Sequence, residues 1–272
     1  MTASGTSHWS TVADHWDAIG PPLRPAPDDV AEIVAQAAAL PPSRRRVLVL
    51  GATRELGEVA WPEGTALLAV DRSPSMLQRL WPGPPGTSVL GEWRALPLAA
   101  ASVDLAVCDG GWHLLDRPDG QERLAAELAR VVAPGGRLAV RLFEPSPSDR
   151  TLDEVLDLLD ADGVVDANHL KVLLWMAVRD PGRRVAVARV WDALDAACPD
   201  LDELADRCGW PRATVRAFEA YRGSPDRYDL LAGDELDRQL VAAGPFRRVR
   251  EHPGAALAPD LRFPTFVYER RP

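Results

Sequence analysis

Two apolar runs, one closed by a glycine and the next by an aspartate, limit the folds open to this chain more than any other feature. Residues 47–50 (VLVL) end at Gly51, and residues 66–70 (ALLAV) end at Asp71. A strand that stops at glycine lets a ligand approach the backbone closely, because no Cβ stands in the way. An acidic residue that ends the next strand can accept hydrogen bonds from both hydroxyls of a ribose. The twenty-residue spacing from Gly51 to Asp71 therefore predicts an α/β sheet that binds an adenosine-containing ligand.

Apolar stretches of strand length alternate with helical stretches between residues 46 and 144. This pattern is typical of a parallel sheet that is covered by helices on both faces. The alternation resumes near the end of the chain, after a long interval of helical periodicity. The sequence therefore predicts an α/β protein. The predicted strands are 46–50, 66–70, 87–90, 103–108, 136–143, 246–251 and 263–270, and the predicted helices beside them are 54–60, 74–81, 120–132 and 233–242.

These patterns divide the chain into four segments. Residues 1–45 are expected to form a helical N-terminal lead-in, 46–149 the cofactor-binding core, 150–225 a helical cap insertion, and 226–272 the last helix and strands of the core sheet. Insertions at the carboxyl ends of a sheet usually carry specificity, so we interpret 150–225 as a cap over the substrate. A packing or dimerisation element is the alternative. The Pro-rich loop 20–25 is interpreted as a lid, or else as a stiff connector.

Composition and charge exclude several classes of protein. The formal net charge is −9, and of the 31 basic residues only Lys171 is a lysine, whereas a nucleic-acid-binding surface needs clustered positive charge. No apolar run approaches the roughly 20 residues that span a membrane. The N-terminus lacks the basic and apolar regions of a secretory signal. The three cysteines are widely spaced, which suggests neither disulfides nor a metal site. We expect a cytoplasmic protein with no nucleic-acid, membrane or metal partner; a homodimer is compatible with the sequence.

Four segments of the chain carry the motifs of a known family. They are VLVLGATREL at 47–56, LLAVDRSPSML at 67–77, GEWRALPLAAASVDLAVCDGGWHLL at 91–115 and LARVVAPGGRLAVRLFE at 128–144. In this order they resemble the class I S-adenosylmethionine-dependent methyltransferases. The resemblance implies a Rossmann-like, doubly wound, mostly parallel seven-stranded sheet with strand order 3-2-1-4-5-7-6, in which the last strand is antiparallel. It also implies S-adenosyl-L-methionine as the cofactor.

The resemblance further implies roles for particular residues. Gly51 would let the backbone close on the methionine and ribose of the cofactor, and Asp71 would accept the ribose hydroxyls, unless it only caps the following helix. Glu92 matches the position of an acid that accepts from the adenine amino group. Trp93 would stack on the base or else belong to the core. The implied cofactor-binding residues are Gly51, Ala52, Thr53, Asp71, Arg72, Met76, Glu92, Trp93 and Asp109.

The loop after the first strand departs from the family pattern. Relatives have glycines at alternate positions, but here Thr53 and Glu55 replace the second and the third, and Leu50 replaces an acidic residue before the first. The lost glycines restrict the turn and bring side chains toward the ligand. Glu55 would place a negative charge near the methionine carboxylate unless it points away, while Arg54 could supply a compensating cation.

Methyl transfer from a sulfonium needs mainly an in-line approach and a dry pocket, although an oxygen or nitrogen acceptor can also require a general base. His113 and Asp109, near the end of the fourth predicted strand, are the candidate catalytic residues. A packing role for His113 is the alternative. Further candidate bases are His15, His169 and Tyr221. Several tryptophans could line an aromatic pocket or simply pack helices together, namely Trp9, Trp16, Trp112, Trp175, Trp191 and Trp210.

The resemblance favours a methyltransferase that acts on a small molecule, with oxygen as the methylated atom. Two other functions remain open at this stage. A nicotinamide-dependent oxidoreductase shares the strand–glycine–helix–strand–acid order, but its G-x-G-x-x-G motif is absent, because Gly51 and Gly57 stand six residues apart with Thr53 between them. A protein that keeps the fold but serves as a binding or partner subunit would have the same pattern.

Overall fold

The computed structural model describes residues 9–146, 148, 150–254 and 261–272. Residues 1–8 of the predicted lead-in lie outside this part of the chain. The strands are β1 (Arg46–Leu50), β2 (Ala66–Asp71), β3 (Ser88–Leu90), β4 (Val103–Asp109), β5 (Val132–Arg141), β6 (Arg184–Ala186), β7 (Arg227–Asp229), β8 (Phe246–His252) and β9 (Thr265–Arg270).

Helices surround the strands on both sides. They are α1 (Trp9–Val12), α2 (Pro27–Ala38), α3 (Arg54–Glu58), α4 (Pro74–Leu80), α5 (Asp119–Val131), α6 (Leu152–Asp160), α7 (Ala167–Val178), α8 (Val187–Ala197), α9 (Leu201–Cys208), α10 (Arg212–Arg216) and α11 (Gly233–Ala243). Short 3₁₀ helices also lie between these elements, at Ala13–Ala18, Pro42–Arg44, Trp112–Leu114 and Ala217–Tyr221. No helix in the described ranges has the length and apolar character that a membrane crossing demands.

The central sheet has seven strands in the order β3-β2-β1-β4-β5-β9-β8. Strands β1 to β5 are parallel, and β9 runs antiparallel to both β5 and β8. This arrangement confirms the predicted Rossmann-like, doubly wound, mostly parallel α/β sheet and its strand order. Leu50 at the end of β1 pairs with Val70 on one side and with Cys108 on the other, so the carboxyl ends of β1, β2 and β4 meet at one edge.

The alternation of side chains in β1 explains the layers around the sheet. Val47 and Val49 face the cluster that contains Ile33 of α2, whereas Leu48 and Leu50 face the cluster that contains Leu128 of α5. Successive side chains of a strand point to opposite faces, so an uninterrupted apolar strand is buried on both sides. The helices on the two faces thus leave the carboxyl edge of the sheet as the place where a ligand can enter.

Residues 150–222 are helical in pattern, and α6 to α10 and the last 3₁₀ turn lie there. The prediction missed two short strands: β6 and β7 pair antiparallel in a small second sheet, with Val185 opposite Tyr228. Each strand has only three residues, and the partners are separated by more than forty positions. Three residues are too few to show the alternating pattern of a strand. The pairing of β6 with β7 therefore depends on tertiary contacts, which a local sequence pattern does not reveal.

The bounds of the elements lie within two residues of the predicted ranges given above, except at the start of β5. Strand β5 begins at Val132, before the Pro-Gly-Gly turn, and its register with β4 shifts at Val103. Helix α3 ends at Glu58. Helix α2 begins at Pro27 because Asp29 accepts a hydrogen bond from the backbone nitrogen of Ala26 at 2.9 Å, which closes the first turn.

Candidate active site

A cavity of about 440 Å³ lies at the carboxyl edge of the sheet, where β1, β2 and β4 end. Gly51, Asp71 and Asp109 are among its lining residues. Side chains from the N-terminal segment, such as Trp16, and from the helices after β5, such as Trp175, line the remaining walls. The volume falls within the range of about 300–1,000 Å³ that is usual for small-molecule sites.

Gly51 adopts a backbone conformation that other residues rarely take. Its φ is +100°, and its backbone nitrogen donates to the carbonyl of Val70 at 2.9 Å. A Cβ at this position would lie 3.5 Å from the ring of Trp93 and 3.9 Å from a carboxylate oxygen of Asp71. The contacts are ordinary, so the requirement for glycine comes from the dihedral angle. Ala52 and Thr53 follow it, and both are buried and line the cavity.

The carboxylate of Asp71 is fixed by two backbone donors. The nitrogen of Ala52 donates to Oδ2 at 3.1 Å, and the nitrogen of Ser73 donates to Oδ1 at 2.8 Å. An ionised carboxylate has about four acceptor sites, so both oxygens retain acceptor capacity toward the cavity. Burial raises the pKa of Asp71, and these backbone donors oppose the shift. The side chain that caps α4 is that of Ser73, which accepts from the nitrogen of Met76.

Not all of the residues predicted to lie near the adenine line the cavity. Met76, Trp93 and the more exposed Arg72 line the cavity. The indole nitrogen of Trp93 donates to the carbonyl of Val70 at 2.7 Å, which fixes the ring beside Gly51. Glu92 is not among the lining residues: Arg94 donates to its carboxylate at 2.9 Å and holds its pKa below the usual value. Its contact with an adenine amino group therefore stays a prediction.

Asp109 belongs to a buried ion pair that the sequence reasoning missed. The guanidinium of Arg141 donates from Nε to Oδ1 of Asp109 at 2.5 Å, and the two side chains are 1% and 5% exposed. The residues are direct neighbours in the parallel pairing of β4 and β5. Arg141 also donates to the carbonyl of Pro22 at 2.7 Å. The signal was present in the sequence, because Arg141 is the one charge in the apolar run 138–143.

His113 belongs to a wall of aromatic rings. Its ring centroid lies 5.0 Å from that of Phe143 and 5.0 Å from that of Tyr228, both edge-on. Trp175 packs against Tyr228 at 4.9 Å. Burial, together with the positive charge of Arg141, lowers the pKa of His113 to about 3. So low a pKa makes the imidazole a weak base at neutral pH, which disfavours it as a proton acceptor in the free protein.

The other candidate bases differ in their relation to the cavity. Tyr221 lines it and is hydrogen bonded to Tyr228. His15 and His169 are not among the lining residues. His169 is buried in α7, where its Nδ1 accepts from the backbone nitrogen of Val165 at 3.1 Å. Of the predicted catalytic candidates, the structure therefore brings Asp109, His113 and Tyr221 to one cavity.

The unusual Glu55 is turned away from the cavity. Arg24 forms an ion pair with its carboxylate, and neither residue is among the lining residues. The same guanidinium donates to the carbonyls of Trp16 at 3.1 Å and Ile19 at 3.0 Å, so it also holds the N-terminal segment in place. Arg54, the cation expected to compensate, pairs with Glu58 at 2.7 Å instead. The departure from the glycine-rich pattern therefore places no acidic side chain among the residues that line the cavity.

The tryptophans divide between the cavity and the core. Trp9, Trp16 and Trp175 line the cavity, whereas Trp112 is fully buried and its indole nitrogen donates to Gln239 at 2.9 Å. Trp191 and Trp210 are not lining residues, and Trp191 is buried in the apolar cluster that also contains Leu170 and Phe218. Lining residues that the sequence reasoning did not single out for the site include Phe143, Lys171 and Tyr228. Among the residues with described positions, no three His, Cys, Asp or Glu side chains are grouped to hold a metal ion.

Comparison with known protein families gives a match in the same part of the chain. A family model described as a methyltransferase domain matches residues 50–140. The segment begins at the last residue of β1 and ends within β5. It therefore contains Gly51, Asp71 and Asp109, the residues that meet at the carboxyl edge.

Two curated relatives align with a similar length of chain. An uncharacterised methyltransferase of Mycobacterium tuberculosis is 40% identical over 103 residues, which are 37% of this chain and 41% of the relative. A malonyl-[acyl-carrier protein] O-methyltransferase of Methylococcus capsulatus is 37% identical over 108 residues, which are 38% of each chain. The similarity thus spans less than half the length of these relatives.

Solved structures resemble the whole fold at low sequence identity. The CcbJ methyltransferase of Streptomyces caelestis superposes with a TM-score of 0.59 at 18% identity, over 98% of this chain and 99% of that one. A Rhodobacter sphaeroides chain with the provisional name of a Zn-dependent alcohol dehydrogenase reaches a TM-score of 0.60 at 16% identity, over 95% and 98% of the two chains. Identities this low show a shared fold and do not separate the two activities. The sequence matches favour the methyltransferases, because residues 50–140 match the methyltransferase domain model and both curated relatives are named methyltransferases.

Proposed function

We propose that this protein transfers a methyl group from S-adenosylmethionine to a small aromatic acceptor, with oxygen favoured as the methylated atom. The main support for this proposal is one cavity whose lining includes both a polar end that suits the cofactor and an aromatic end that suits the acceptor. One end presents the open backbone at Gly51 and the carboxylate of Asp71, and the other is walled by the rings of His113, Trp175 and Tyr228.

The cofactor end fits the chemistry of S-adenosylmethionine. The dihedral angle of Gly51 removes any side chain from the turn, and Asp71 has acceptor capacity left for two ribose hydroxyls. Met76 offers a polarisable apolar surface to the adenine, and Trp93 is fixed at the side of the loop. These residues would hold the cofactor. When bound, it supplies a methyl group on a positively charged sulfur.

The residues around the acceptor end mainly position groups and exclude water. Asp109 is held by Arg141, and the imidazole of His113 is a weak base because it is buried. We therefore assign both to orientation of the acceptor, not to removal of a proton. Lining residues from the N-terminal segment and from the helices after β5 cover part of the cavity and would limit the access of water to a bound ligand. Correct orientation in a dry site accounts for much of the rate in such a transfer.

Support for oxygen as the methylated atom comes from the Methylococcus relative, which is named an O-methyltransferase. The aromatic wall supports an acceptor with a ring, because such walls bind flat apolar ligands through stacked and edge-on contacts. The cap assigned to residues 150–225 and the lid assigned to residues 20–25 supply Trp175 and Leu23 to the cavity. A cytoplasmic location and a homodimer remain predictions.

The two rival functions have less support. A dinucleotide site would need a glycine to open the helix toward a pyrophosphate. Gly57 lies inside α3, where a Cβ would come within 2.5 Å of Pro82, so this glycine serves helix packing. A binding subunit without catalysis was suggested by the replaced glycines, but Glu55 is neutralised by Arg24 outside the cavity. The carboxylate of Glu55 therefore gives no reason to reject cofactor binding.

Replacement of Asp71 by alanine tests the cofactor site. We expect S-adenosylhomocysteine to bind at least about 100-fold more weakly to Asp71→Ala, because two hydrogen bonds to a charged acceptor, each contributing about 1.5–3 kcal/mol, are lost. The Asp71→Asn variant, which keeps the shape without the charge, should give an intermediate affinity. Titration calorimetry measures all three proteins, and Asp195→Ala on the exposed surface of α8 is the matched control.

Equal affinities for Asp71→Ala and the unchanged protein would remove the ribose role of Asp71. Absence of binding to the folded, unchanged protein would remove the whole proposal. Methyl transfer itself is followed with S-adenosylmethionine labelled in the methyl group and a panel of phenols, anilines and aromatic acids. Binding of the cofactor with no transfer to any of them would favour the binding subunit.

A further inference from the structure

The only lysine of this chain lies inside the cavity. Lys171 belongs to α7, is 2% exposed and is among the lining residues. Its Nζ donates to the carbonyl of Ala217 at 3.4 Å. An ammonium group has three donors, so two of its N–H groups remain available for a ligand.

The ammonium of Lys171 has aromatic neighbours but no acidic partner among the described residues. It lies 4.6 Å from the ring centroid of Phe218 and 4.9 Å from that of Tyr221. Burial lowers the pKa of Lys171 to about 7, and no nearby carboxylate opposes this shift. A buried charge without a counterion is costly, and an anionic group on a bound ligand would supply the missing partner.

A continuous row of rings connects this lysine to the cofactor end. From Arg141, which holds Asp109, the row passes to Phe143 at 5.2 Å, then to His113 at 5.0 Å and Tyr228 at 5.0 Å. Tyr228 is hydrogen bonded to Tyr221, whose ring contacts the ammonium. The row thus leads from the carboxyl end of β4 to the ammonium of Lys171 along one wall of the cavity.

We propose that Lys171 binds an anionic oxygen of the acceptor, and that the acceptor is an acidic aromatic small molecule whose ring packs against this wall. The inference rests on the proposed function only for the statement that the bound molecule is methylated. The anion supplies the counterion that the protein lacks, and the two free N–H groups of the ammonium donate to it. A cationic acceptor would be repelled by the same group.

The titratable groups near Lys171 stay uncharged near pH 7, so they neither attract nor repel an anion through a net charge. Burial raises the pKa of Tyr221 and of Tyr228, so both phenols stay neutral near pH 7. His113, further along the wall, is also neutral because burial lowers its pKa to about 3. Protonation of Lys171 is therefore the change that controls affinity for an anion here. Affinity should fall as pH rises through the pKa of the bound lysine.

The single lysine makes a direct measurement possible. Incorporation of lysine labelled with ¹³C at the ε position gives one NMR signal, whose pH titration reports the pKa of Lys171. We expect the titration midpoint to lie near 7 in the free protein. Saturating benzoate or 4-hydroxybenzoate should raise it by about one unit or more, which corresponds to a tenfold preference for the protonated lysine. The neutral 4-hydroxybenzamide should leave it unchanged.

Variants separate recognition from a structural role. Lys171→Met has similar length without charge, and we expect it to bind 4-hydroxybenzoate at least about tenfold more weakly while its affinity for 4-hydroxybenzamide is unchanged. Tyr221→Phe keeps the ring beside the ammonium and should retain the preference for the acid. Because a buried charge is removed, Lys171→Met should remain folded with an undiminished melting temperature.

Three results would overturn the proposal. One is a lysine signal that titrates near the ordinary value of about 10.5 or responds to neither acid. Another is equal binding of the acid and the amide to the unchanged protein. The last is a Lys171→Met variant that loses thermal stability but keeps the preference for the acid. Parallel calorimetry with S-adenosylhomocysteine shows whether the cofactor site is intact, so failure here is distinguishable from failure of the methyltransferase assignment.

Discussion

Arg141→Met is expected to lower the free energy of unfolding by about 3–5 kcal/mol, because it leaves the carboxylate of Asp109 buried without its counterion. Burial alone would lower the pKa of Arg141, but the carboxylates of Asp109, Asp29 and Glu55 raise it, so the guanidinium is charged in the folded protein. The substitution also removes the donor to the carbonyl of Pro22, which ties the N-terminal loop to β5. Urea denaturation at pH 7 measures the change.

Two further variants test whether the unpaired carboxylate of Asp109 causes this loss of stability. Adding Asp109→Asn to the Arg141→Met protein removes the unpaired charge and should recover part of the stability. Arg238→Met removes an arginine from an exposed pair with Asp234, in which both side chains are 67% exposed. We expect that control to lose less than about 1 kcal/mol. Equal losses for Arg141→Met and Arg238→Met would contradict the importance given to the buried pair.

The stability of the protein is expected to fall steeply below pH 6.5 because of His113. Burial lowers the pKa of this residue to about 3 in the folded state, whereas it titrates near 6.5 when unfolded. Between these two values the unfolded chain binds the proton and the folded chain does not. The free energy of unfolding therefore decreases by about 1.4 kcal/mol for each pH unit, approaching about 5 kcal/mol in total.

The contribution of His113 is isolated by comparison with His113→Phe, which keeps an aromatic ring in the wall but does not titrate. The difference in unfolding free energy between this variant and the unchanged protein should shift by about 3 kcal/mol in favour of the variant from pH 7.5 to pH 4.5. Tyr228→Phe, in the same wall, removes no group that titrates in this range and should give a constant difference. A constant difference for His113→Phe as well would show that the imidazole protonates freely in the folded state.

The parts of the fold and site that could be predicted from sequence are those encoded by local patterns. The apolar run before Gly51 and the run before Asp71 predicted the sheet and the position of the cofactor loop, whereas the strand order was implied by the family resemblance. Parallel strands all end at one edge, so residues at their carboxyl ends are brought together by topology alone. The meeting of Gly51, Asp71 and Asp109 could therefore be expected without coordinates.

The features that escaped prediction depend on pairs of residues far apart in the chain. Glu55 was expected to place a negative charge near the ligand unless it pointed away, and the sequence did not show that its partner is Arg24, which is thirty-one residues away. The pairing of β6 with β7 likewise depends on tertiary contacts. Arg141 and Lys171 did give a local signal, since each is a lone charge in an apolar stretch. A buried charge requires a partner, and only the structure shows that Arg141 has one and that Lys171 faces the cavity.

A crystal structure of the protein grown with S-adenosylhomocysteine tests the central claim most directly. The account predicts the ribose hydroxyls on the carboxylate of Asp71, the adenine beside Met76 and the sulfur directed toward the end of β4 at Asp109. A ligand bound elsewhere on the protein, or a ribose with no contact to Asp71, would contradict it.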